Sequence, residues 1–113
     1  MATAEQIFEE MMDAGQGAFG AGWNAVKQYA PLEFKKMALQ IEEIARNVAL
    51  NQLDGTQGYS VETGKLLMKM QRNACEGVLV ATTQLTMIAV QKAMDAMYAV
   101  LRDAFKGVIE AVL

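Results

Sequence analysis

The most restrictive feature of this sequence is a stretch of about 54 residues, from Ser60 to Leu113, that contains no proline and repeats apolar residues at helical spacing. A single helix of that length would be roughly 80 Å long. A compact chain of this size has a radius of gyration of only about 13–14 Å. The stretch therefore either breaks, with 73–77 as the predicted place, or forms a long helix that packs against other copies of the chain.

The second half of this stretch predicts an interface between subunits. Its apolar residues alternate between spacings of three and four, as in a coiled-coil seam. Apolar or small residues cover about two-thirds of the circumference, whereas a helix on the outside of a small bundle needs an apolar arc of little more than about 100°. We therefore expect this helix to self-associate. The predicted anchors are Met87, Val90, Met94, Met97, Leu101, Phe105 and Val108.

The N-terminal segment predicts a helix over about 3–29 that begins with a capping box formed by Thr3 and Gln6. Four glycines interrupt it, and each costs about 1 kcal/mol in a helix interior. Contacts with another helix must offset that cost, or the segment bends near 15–17. The small residues would let a neighbouring helix approach closely, beside two aromatic anchors. The predicted close-packing set is Gly15, Ala18, Gly22, Ala25, Phe19 and Trp23.

The middle of the chain predicts the clearest helix. Pro31 suits a first helical turn because its φ is fixed, and an apolar stripe then runs to Val48. This helix is predicted over 31–53 and the third over 60–112. The sequence thus predicts a single all-α domain over 1–113. The expected architecture is an antiparallel helical hairpin, or a three- or four-helix bundle, with a long C-terminal helix packed against other subunits.

The composition disfavours several chemistries. The sequence has no histidine, which removes the commonest general base and the commonest transition-metal ligand. Its one cysteine, Cys75, cannot form an internal disulfide. The net charge of -3 and the absence of a block of basic residues disfavour a protein that binds nucleic acid. The one local basic face, formed by Lys65, Lys69 and Arg72, is expected to be solvated or to meet an acidic partner. We expect a non-enzymatic protein without a cofactor, a metal or a nucleic-acid partner.

The sequence allows contact with a membrane surface but does not favour it. The longest uncharged run, from Gly77 to Gln91, has about 15 residues, whereas a spanning helix needs about 20. The first residues lack the basic start and apolar core of a signal peptide. A cytoplasmic location is therefore the default expectation.

Three functions stay open. The first is a structural or interaction protein that self-associates, such as a subunit of a filament or particle. In size and helical simplicity the chain is similar to small subunits of bacterial secretion filaments or of phage particles. The second is a module that binds an apolar ligand or an amphipathic peptide in a methionine-lined groove, suggested by nine methionines. The third is a membrane-surface-active protein, suggested by the glycine-rich segment with Phe19 and Trp23.

Overall fold

The chain enters its first helix through the predicted capping box. In the computed structural model, which describes residues 2–113, the Thr3 hydroxyl accepts a hydrogen bond from the Gln6 backbone N–H at 3.2 Å. The Gln6 side chain accepts one from the Thr3 N–H at 2.9 Å. Two of the N–H groups that a helix start leaves without partners are thereby satisfied. Helix α1 then spans Ala4–Phe19.

The predicted helix over 3–29 is interrupted, but at 20–22 and not near 15–17. Gly20 has φ of 53°, a left-handed value that favours glycine. A 3₁₀ turn follows over Gly20–Gly22, and a short helix, α2, spans Trp23–Val26. The earlier glycines remain helical.

Four further helices complete the fold. They are α3 over Ala30–Leu53, close to the predicted 31–53, then α4 over Val61–Thr83, α5 over Met87–Ala104 and α6 over Val108–Val112.

The predicted third helix over 60–112 is three helices, and the predicted break near 73–77 is wrong because those residues lie inside α4. The chain instead reverses after Thr83. Gln84 takes a left-handed backbone conformation with φ of 63°. The Thr86 hydroxyl then caps α5 by accepting from the Ala89 N–H at 3.1 Å. A second interruption, at 105–107, separates α5 from α6.

The four long helices form a bundle in the order α1, α3, α4, α5 around its axis. Each runs antiparallel to both neighbours, because residues later in one helix contact residues earlier in the next. For example, the Ala4 N–H of α1 donates to the Glu42 carboxylate in the middle of α3 at 2.6 Å, whereas Gly15 near the end of α1 lies against Phe34 near the start of α3. Helix α6 packs across α3, α4 and α5 at one end. The bundle measures 45 × 21 × 20 Å, with a radius of gyration of 14.0 Å.

The apolar arc of the C-terminal stretch is covered in part by the chain itself, while Met87, Ile88 and Val100 stay exposed. Helix α5 packs against α1, α4 and α6. Four of the predicted interface anchors lie fully buried in this core: Val90, Met94, Met97 and Leu101. Phe105 and Val108 are partly buried against it, and Met87 is exposed. The prediction that the four buried residues contact another subunit is wrong for this fold.

The close approach of α1 to its neighbours yields a stability prediction. A Cβ at Gly15 would lie 2.9 Å from Cε2 of Phe34 and 3.2 Å from Cζ3 of Trp23. Gly15→Ala is therefore expected to destabilise the fold by about 1–3 kcal/mol, because two rigid rings must shift. Gly17→Ala is the control, since a Cβ there meets nothing within 4 Å. It should stabilise the helix by about 0.5–1 kcal/mol. Urea unfolding measures both, and equal effects would contradict the close packing.

Candidate functional site

Helix α4 carries an uncharged arc on its solvent-exposed side, bordered by the exposed Glu62 and Lys69. At about 100° per residue, this arc spans about 140° of the helix surface. A surface helix normally places its charged residues opposite its core side. We call this surface the α4 outer face; it consists of Thr63, Leu66, Met70, Asn73, Ala74, Gly77, Val78 and Ala81, all of them exposed.

Side-chain size changes along the α4 outer face. Its first half carries two large side chains, Leu66 at 60% exposure and Met70 at 59%. Its second half carries small residues at Ala74, Gly77 and Ala81, together with the larger Val78 at 37% exposure. A Cβ built at Gly77 would meet nothing within 4 Å. The second half is thus shallower than the first, where Leu66 and Met70 project.

The charges beside this face lie on its α5 side, and the most buried of them are paired. The Arg72 guanidinium donates to the Glu76 carboxylate at 2.9 Å and to the Asp95 carboxylate at 2.5 Å. It also donates to the Gln91 carbonyl at 3.2 Å and lies over the Tyr98 ring, 5.1 Å from the centroid. Because Glu76 is buried, Arg72 satisfies a carboxylate that would be costly to leave unpaired. The network joins α4 to α5.

The predicted basic face is therefore divided. Arg72 is held by carboxylates of its own chain, whereas Lys65 and Lys69 are exposed. All three line a groove of about 450 Å³ between α4, α5 and α6. The buried Tyr98 also lines it, and within residues 2–113 its hydroxyl has no hydrogen-bond partner. Burial raises the pKa of the Tyr98 phenol, which keeps its proton at neutral pH.

Cys75 lies in the core behind the α4 outer face. Burial, assisted by the charges of Glu33 and Glu76, raises the pKa of its thiol to about 12. The thiol is therefore protonated at neutral pH, which is the opposite of what a nucleophilic cysteine needs.

Stability is accordingly expected to decrease as the pH rises above about 9. The folded state holds the Cys75 proton more tightly than the unfolded state, whose thiol ionises near the ordinary pKa of 9.0. The contribution of this group is fully present below that pH and is lost as the pH approaches the folded pKa of about 12. Urea unfolding of the wild type and of Cys75→Ala at pH 8 and pH 11 measures it. The same decrease in both proteins would exclude Cys75 as the source.

Most methionines on the predicted apolar faces lie in the core, including Met11, Met37, Met68, Met94 and Met97. Met68 also lines the groove between α4, α5 and α6, whose other lining residues are mostly polar or charged. The groove lined by several methionines stays a prediction. A different apolar groove, of about 680 Å³, lies between α1 and α3. It is lined by Ala4, Glu5, Phe8, Pro31, Leu32, Lys35 and Leu39.

The predicted close-packing set lies mostly inside the chain. Gly15 and Phe19 are buried, and Ala18, Gly22 and Trp23 are half-buried. Trp23 stands between two rings, with centroids 6.4 Å from Phe19 and 6.5 Å from Phe34. The two aromatic residues that suggested membrane contact are therefore part of this cluster. Ala25 is exposed, so its inclusion in the set is wrong.

Residues 2–113 also bear on membrane and metal sites. None of the helices there combines the length and the apolar character needed to cross a bilayer. That part of the chain holds no group of three or more acidic, cysteine or histidine side chains placed to share a metal ion. Comparisons with protein-family models, with curated proteins and with solved structures gave no match.

Proposed function

We propose that this protein is a non-enzymatic interaction module that self-associates through the α4 outer face. The observation that carries the proposal is the uncharged outer arc of a helix whose inner side already packs in the core. Contiguous apolar patches on the surface of a protein mark sites of interaction with partners or ligands. The proposed contact lies on α4 and not on the α5 anchors predicted from the heptad pattern, because four of those anchors are buried.

The expected strength of this contact follows from its few large side chains. Full burial of a Leu, Met or Val side chain stabilises by about 1.5–3 kcal/mol, and those of the α4 outer face are already partly covered. Lost translational and rotational freedom opposes association by at least about 4 kcal/mol. We therefore expect a reversible equilibrium with a dissociation constant on the order of tens of micromolar.

The proposal is limited to the pairing of two copies and does not include a filament or a particle. A symmetric contact, in which both copies use the same face, closes at two subunits. Growth into a larger assembly needs a second contact surface. The α1–α3 groove is one apolar surface that could supply it.

Paired substitutions test the proposal. Leu66→Glu with Met70→Glu is expected to abolish self-association, because it places two carboxylates in the contact. Leu50→Glu with Leu53→Glu is the control on α3, where the exposures are 39% and 87% and neither side chain lines the α1–α3 groove. Sedimentation velocity over a concentration series measures the mass, and circular dichroism verifies folding. A wild-type protein that stays monomeric at tens of micromolar, or equal behaviour of the two variants, would refute the proposal.

A second candidate function is the binding of an apolar ligand or amphipathic peptide in the α1–α3 groove. The favouring observation is that Phe8 and Leu39 form an apolar channel with Pro31 and Leu32, bordered by one acidic and one basic residue. Native mass spectrometry of the purified protein is expected to show a bound ligand that the Leu32→Glu, Leu39→Glu variant lacks. A ligand-free wild type would remove this candidate.

A further inference from the structure

We infer that the groove between α4, α5 and α6 binds a small organic carboxylate with a short apolar body. The inference does not depend on self-association, since the groove lies on the α5 side of α4. It follows from two lysines without carboxylate partners, from a buried hydroxyl without a hydrogen-bond partner and from an apolar end of the groove. The volume of about 450 Å³ lies within the range of about 300–1,000 Å³ that small-molecule sites occupy.

The unpaired charges of the groove are positive. Its lining side chains carry three positive and two negative charges, although the whole chain has a net charge of -3. Both carboxylates, Glu76 and Asp95, are already bonded to Arg72. Lys65 and Lys69 lie one turn apart on α4, are exposed, and form no ion pair within the described part of the chain. An anion in the groove can therefore meet two ammonium groups that no carboxylate of the chain occupies.

The Tyr98 side chain supplies a donor that lacks an acceptor. It lines the groove at only 2% exposure, and its hydroxyl has no hydrogen-bond partner among residues 2–113. Burial raises the pKa of this phenol, so its proton stays available for donation at neutral pH. A bound carboxylate would provide the missing acceptor. The hydroxyl is covered in the free protein, so we expect the side chains that line the groove to shift when the ligand binds.

The remaining lining favours an organic carboxylate over inorganic phosphate. Met68, Val112 and Leu113 line the groove and can cover an apolar body, which inorganic phosphate lacks. The guanidinium group, whose fork suits phosphate best, belongs here to Arg72 and already donates to two carboxylates. The Leu113 backbone oxygen accepts from the Arg102 guanidinium at 3.3 Å, so this acceptor is paired as well.

Titration of the ¹⁵N-labelled protein with hexanoate tests the inference. Saturable shifts are expected for backbone amide signals around the groove at up to millimolar concentrations. Hexanamide, which has the same apolar body without the charge, and inorganic phosphate should give none. Lys65→Gln with Lys69→Gln should weaken hexanoate binding about tenfold or more, because it removes both charged donors. Lys27→Gln with Lys92→Gln is the matched control, since it removes the same charge from two exposed lysines that do not line this groove.

Tyr98→Phe separates a role in binding from a role in folding, because it removes only the hydroxyl. The free variant should unfold at the same urea concentration as the wild type or at a higher one, since a buried unpaired hydroxyl is lost. Hexanoate should nevertheless bind it about tenfold more weakly. Unchanged affinity of this variant would overturn the assignment of Tyr98 as a ligand donor. Equal binding of hexanamide, preferred binding of phosphate, or no saturable shifts with hexanoate would overturn the carboxylate site.

Discussion

The fold depends on the reversal of the chain between Thr83 and Met87. A left-handed Gln84 ends α4, and the Thr86 hydroxyl begins α5. Without this turn the C-terminal half would extend far beyond the bundle, and its wide apolar arc would need other molecules to cover it. With the turn, α5 lies against α1 and α4, and α6 covers the bundle end. One local conformation thus decides whether α5 is core or surface.

The sequence predicts the helical content, the capping box at Thr3 and the start and end of α3 because each has a local cause. The Thr3 hydroxyl satisfies a backbone N–H group, Pro31 fits a first turn, and the apolar stripe of α3 has a helical period. The reversal at Gln84 was missed because breaks are expected at glycine or proline, and this turn contains neither. The remaining signal was Thr86, a good cap residue inside an uncharged run.

The candidate site could be predicted less well. A heptad pattern shows that one side of a helix will be covered, but not whether the same chain or another copy covers it. The pattern in α5 was regular, and its anchors Val90 and Met94 lie in the core of the chain. Helix α4 gave a weaker pattern because it is apolar on two sides, and Gly77 and Ala81 interrupt the outer one. The three-dimensional structure is needed to show which side of α4 packs against the other helices and which side no helix covers.

The ion-pair network beside the α4 outer face bears on how fast the proposed contact would form. Arg72 holds α4 to α5 through Glu76 and Asp95. The face is thus fixed on the bundle before any encounter, so the proposed contact requires little reordering of the backbone. The face itself is uncharged, but each copy carries a net charge of -3. Two copies therefore repel each other, and added salt, which screens that repulsion, should raise the association rate.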